Sequence, residues 1–101
     1  MIETTILSSL VYNEEFARKV LPYLKVDYFQ NNGHKIVLKL IRDYFLKYKT
    51  TPNVVTLSVD LEQLSIVEHV HKEAASTITA LHSEPVDSTW LMNSTEEFCK
   101  R

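Results

Sequence analysis

Apolar side chains recur along this chain at intervals of three and four residues, the spacing that lines one face of an α-helix. Ile2, Ile6, Leu7, Leu10 and Val11 make the first such face. Asn13 can cap a second helix, with Glu14 and Glu15 in the first turn where the helix dipole favours anions. Phe16, Val20 and Leu21 form its apolar side, and Pro22 ends or kinks it because the ring clashes with the preceding turn. Asp27-Tyr28-Phe29 reads as a single turn that drops Phe29 into the core. The clearest signal runs from Asn32 to Tyr48, where Ile36, Val37, Leu40, Ile41, Tyr44, Phe45 and Tyr48 form a broad stripe facing a globular core.

The second half is less regular. Thr51 can cap a helix that has Pro52 at its first position, where the missing N–H costs nothing. That helix would bury Val55 and Val59, with Leu57 and Leu61 beside them; its β-branched residues make a strand the competing reading. The Thr-Pro start and the lack of a partner strand decide for helix. Ser65 and Glu68 have capping-box spacing, and Val67, Val70, Ala74, Ile78 and Leu81 follow on one side. After a loop at 82–87, Asp87 or Ser88 caps a last helix with Trp90, Leu91, Ser94 and Phe98 inward. It reaches Lys100-Arg101 with no Gly or Asn stop, so the chain is expected to be a piece cut from a longer protein. The predicted fold is an all-α, compact orthogonal bundle of five or six short-to-medium helices forming a single domain over 1–101.

Composition narrows the function. No apolar run approaches the ~18 residues that span a bilayer, and no signal-peptide pattern opens the chain. A lone Cys99 makes no internal disulfide and suits a reducing cytosol. One glycine leaves no room for a Gly-rich phosphate loop. The net charge of −2 lacks the basic excess of a dedicated nucleic-acid-binding domain. That charge is unevenly spread: over 18–49 eight basic residues stand against Asp27 and Asp43, and over 50–99 Lys72 stands against eight acids. Solvated helix faces account for this plainly; opposed faces for docking are the sharper alternative.

Candidate chemistry is sparse. His69 and His71 are two apart and diverge on a helix, and no Cys/His pair has metal-ligand spacing, so no metal is expected. His34, at the start of the long helix, suits a structural partner. Glu14-Glu15 and Glu96-Glu97 are adjacent carboxylates whose side chains diverge. Cys99 has no local histidine. No catalytic or cofactor-binding residue is assigned. Lys35, Lys39 and Arg42 form a basic stripe at i, i+4, i+7, with Lys47 and Lys49 beyond, suited to weak phosphate contact without base readout.

Six blocks read together carry a resemblance. Glu3-Thr4-Thr5-Ile6-Leu7-Ser8-Ser9-Leu10 opens the chain. Phe16-Ala17-Arg18-Lys19-Val20-Leu21-Pro22-Tyr23 follows, with Asp27-Tyr28-Phe29 after it. Leu38-Lys39-Leu40-Ile41 and Pro52-Asn53-Val54-Val55-Thr56-Leu57-Ser58-Val59-Asp60-Leu61 come next, and Asp87-Ser88-Thr89-Trp90-Leu91 closes the set. Their order and spacing resemble the N-terminal domain of DnaB-type replicative helicases, nearest those of T-even-like bacteriophages. The resemblance implies a non-catalytic collar domain of a ring-shaped hexamer that moves 5′ to 3′ on DNA in the host-cell cytoplasm. ATP and Mg would be used by a C-terminal RecA-like motor absent from this sequence. The implied partners are other helicase subunits, the primase and the helicase loader, with DNA met only weakly or through the full ring. Two rivals are the helicase-binding domain of a primase, which Met1 opening straight onto a helix disfavours, and a small single-stranded-DNA-binding module.

Overall fold

A single residue separates the first two helices. α1 (Ile2–Tyr12) stops at Asn13, which is extended (φ −133°, ψ 93°) and turns the chain into α2 (Glu14–Val20). The Asn13 side chain accepts the Phe16 N–H at 3.1 Å, satisfying one of the amide donors that a helix start leaves open. α2 tightens into a 3-10 turn over Leu21–Tyr23, with Pro22 in its first turn, as the proline requires. A second 3-10 turn, Val26–Tyr28, delivers Phe29 to the core, where its ring meets Phe98 edge-on with centroids 5.0 Å apart.

The computed structural model describes residues 2–100 and is all helical, with six α-helices among those residues. Met1 and Arg101, the two ends of the sequence reading, lie outside the described residues. α3 (Asn32–Tyr48) has the bounds its apolar ladder predicts, and Asn31 caps it by accepting the His34 N–H at 3.0 Å. α4 (Val54–Glu62), α5 (Glu68–Ala80) and α6 (Ser88–Cys99) complete the bundle, which measures 37 × 28 × 22 Å. The most extensive packing is between α3 and α5. The chain's lone glycine explains it: a Cβ at Gly33 would lie 2.6 Å from the Glu73 carbonyl carbon, so only glycine admits the α5 backbone here.

Several expectations are corrected. The cap of α4 is Asn53, not Thr51, because Asn53 and Thr56 form a reciprocal pair: Asn53 accepts the Thr56 N–H at 2.8 Å and Thr56 accepts the Asn53 N–H at 3.0 Å. Pro52 is consequently buried in the connection rather than helical. That start sets the phase so that Leu57 and Leu61 are buried, whereas Val55 and Val59 are 69% and 47% exposed. Ser65 does not cap α5. The helix begins at Glu68 behind Val67, which makes no side-chain cap bond and is exposed, while Ile66 packs against the core from the extended segment. In α6 the Asp87 cap, accepting the Trp90 N–H at 2.9 Å, turns Leu91, Thr95 and Phe98 inward and leaves Trp90 49% exposed, with Ser94 half-buried.

The α3 stripe is likewise shifted. Leu38 is fully buried though it lies off the ladder, and Tyr48 is exposed because the helix runs past the edge of the core.

Candidate interaction surfaces

Arg18 organises the junction between α2 and the end of α3. Its guanidinium donates to Glu14 Oε2 through Nη2 and Nε at 2.6 and 3.1 Å, and Nη2 also reaches the Lys49 carbonyl at 2.9 Å. The same group lies 5.2 Å over the Phe45 ring. Thr50 donates its hydroxyl to Glu14 Oε1 at 3.0 Å. The Arg18 and Thr50 bonds, in that order, hold the Glu14 carboxyl below its ordinary range. Lys49 occupies the left-handed region (φ 61°) that ends α3.

Beside this junction, α2, residues 21–27 and the C-terminal half of α3 border an open groove of about 600 Å³. Leu21, Pro22, Val26, Phe45 and Leu46 give it an apolar lining; three cations, Arg18, Lys25 and Arg42, join it against one carboxylate, Asp27. Arg42 donates Nη2 to the Leu24 carbonyl, which bridges α3 to the loop. A second cleft, about 670 Å³, opens between α1, residues 82–87 and α6, with Tyr12 and Trp90 among its lining. Here the His82 ring lies between two acceptors, Nδ1 2.9 Å from the Ala80 carbonyl and Nε2 3.2 Å from Glu84 Oε1, and donates to both when protonated; the carbonyl first and the carboxylate second raise its pKa. Its backbone N–H donates to the buried Ser8 hydroxyl at 3.3 Å.

The residues singled out from sequence are dispersed. Along α3, Lys39 is exposed and Lys35 half-buried, while Arg42 is tied to Leu24. His34 is half-buried, and its Nδ1 lies 2.6 Å from Glu3 Oε1, joining the starts of α1 and α3. His69 is exposed and His71 half-buried on α5. Burial pushes the Cys99 thiol up, away from the nucleophilic thiolate. Glu15, Glu96 and Glu97 are exposed. Among the described residues no group of three or more His, Cys, Asp or Glu side chains could hold a metal ion, and no helix is long and apolar enough to cross a membrane.

Sequence reading missed the Glu3–His34 link, the groove and the role of Gly33. Only the last had a signal: a glycine inside a strong helix pattern costs about 1 kcal/mol relative to alanine, which implies a packing reason.

Among the described residues the chain is an all-helical bundle whose open features are grooves and exposed helix faces. Comparison with known proteins makes this specific. Residues 1–89 match the family described as DnaB-like helicase N terminal domain. The chain is also 31% identical over 96 residues to the DnaB-like replicative helicase of Enterobacteria phage T4, covering 95% of this chain and 20% of that protein. The chain therefore belongs to the DnaB-like helicase N-terminal domain family and corresponds to the non-catalytic part of such a helicase. It spans one fifth of the length of that curated relative.

Proposed function

We propose that this chain is the collar domain of a hexameric, ATP-dependent replicative DNA helicase working 5′ to 3′ in the cytoplasm of a phage-infected cell. It supports ring assembly and docks the primase and the helicase loader. The observation that carries this reading is the match of residues 1–89 to a helicase N-terminal family, on a chain one fifth the length of its replicative-helicase relative. The only glycine is packed between α3 and α5, which leaves none for a Gly-rich phosphate loop; ATP and Mg would be used by a RecA-like motor outside residues 1–101.

Removal of residues 1–101 from the longer helicase tests the proposal. Hexamer formation, or stimulation by primase, should fall; unchanged values for both would sink it. Within such a ring Lys35 and Lys39, with Arg42 behind them, would add weak phosphate contact. A salt titration with single-stranded DNA should show binding only at low ionic strength, removed by Lys35→Glu with Lys39→Glu.

A further inference from the structure

We infer that the cleft between α1, residues 82–87 and α6 takes an extended, lysine- or arginine-bearing segment of a partner protein. This deepens the docking role proposed above and rests on it for the protein that carries the segment.

The main chain suits an extended guest. Residues 81–87 form neither helix nor turn nor bend. The main-chain groups of Ser83, Glu84 and Val86 enter no hydrogen bond among the described residues, so they are open to a second chain laid alongside. Ser8, 6% exposed, lines the same cleft. Its oxygen accepts the His82 N–H at 3.3 Å, while its own O–H meets no acceptor among the described residues and can donate to a peptide carbonyl.

Charge selects which guest. Glu14, Glu84 and Asp87 line the cleft, and no Lys or Arg does. Glu73, Glu84, Asp87, Glu96 and Glu97 are the acids between 73 and 99, with no Lys or Arg among them. Asp87 has no ion pair among the described residues. Tyr12 and Trp90, each about half exposed, add two aromatic rings over which no cation of the described residues lies. A lysine or arginine can rest its stem on such a ring and its charge against the carboxylates. The chain's own basic residues stand on helices or singly between them, so no described stretch of a second copy has the extended basic form. The loop can change length at little cost to the bundle, so what docks there is free to differ among relatives.

The test titrates the isotope-labelled 101-residue chain with an octapeptide alternating lysine and valine, at physiological salt. Trp90 is the only tryptophan, so its indole N–H signal and its fluorescence report on the cleft directly. Both should move saturably, together with the amides of Ser83, Glu84 and Val86. Glu84→Lys or Trp90→Ala should each weaken binding of the dye-labelled peptide by about tenfold or more, the effect of losing an anchor. Glu62→Lys, the same charge change on α4 outside the cleft, should weaken it less than about threefold. All three positions are exposed, and an unchanged far-UV spectrum confirms folding. Methylating alternate amide nitrogens of the peptide should abolish binding, and an octapeptide alternating glutamate and valine should not bind.

Unmoved Trp90 and loop signals, equal weakening by Glu62→Lys, undiminished binding of the methylated peptide, or cleft shifts that follow the chain's own concentration would each overturn the inference. The last would make a second copy the occupant. Each of these results leaves the collar reading standing. That reading fails on its own terms only if the helicase lacking residues 1–101 still forms hexamers and answers primase.

Discussion

Gly33 on α3 and Glu73 on α5 meet backbone to backbone: a Cβ built on the glycine would stand 2.6 Å from the Glu73 carbonyl carbon and 2.7 Å from its oxygen. No flexible side chain is there to yield. Gly33→Ala should therefore force α3 and α5 apart and cost about 1–3 kcal/mol, despite alanine's better helix propensity. Urea denaturation checks this; a midpoint equal to wild type would show that the helices can separate freely.

Thr95 is buried and its hydroxyl has no hydrogen-bond partner among the described residues. Thr95→Val keeps the branched shape and removes the unsatisfied group. We expect a gain of about 1 kcal/mol, read as a higher melting temperature. A loss would mean that the hydroxyl is satisfied in solution.

Lys49 ends α3 in the left-handed region, a conformation that a β-carbon disfavours. Lys49→Gly should stabilise by up to about 1 kcal/mol, since the Arg18 bond is to the backbone carbonyl and survives the change. For a domain of this size that is a rise of roughly 4–8 °C in Tm.

Glu14 and His82 give opposite pH dependences. The folded chain holds Glu14 below 4.5, so its contribution is present above pH 4.5 and is lost as pH falls through the lowered value. His82 is held above 6.5, so its contribution is present below pH 6.5 and is lost as pH rises through the raised value. Melting curves should show Glu14→Gln converging on wild type in acid and His82→Gln converging on it in alkali. Both groups are exposed, so the differences should be small.

How far the fold could be read in advance depends on the information each segment carries. α3 was legible because seventeen residues repeat one periodicity between two polar ends. α4 was not, because Val55, Leu57, Val59 and Leu61 are all apolar at alternate positions. Hydropathy cannot choose which pair faces in; the Asn53–Thr56 cap, which sets the phase, does so. Trp90 misled for a related reason, since size and hydrophobicity suggest burial whereas the Asp87 cap rotates it outward. The groove and the Glu3–His34 link join residues distant in sequence, and one chain's local pattern holds no record of such pairings.

The one-residue corner at Asn13 also bears on how this sequence can drift. Its oxygen is committed to Phe16 and its amide to the Ser9 carbonyl, so the joint has no slack. An inserted residue would be taken up as helix and would swing Phe16 and Ala17 through about 100° away from their neighbours. Gains and losses of residues among descendants should accumulate at 82–87, where the path between α5 and α6 is long, and be purged where α1 hands over to α2.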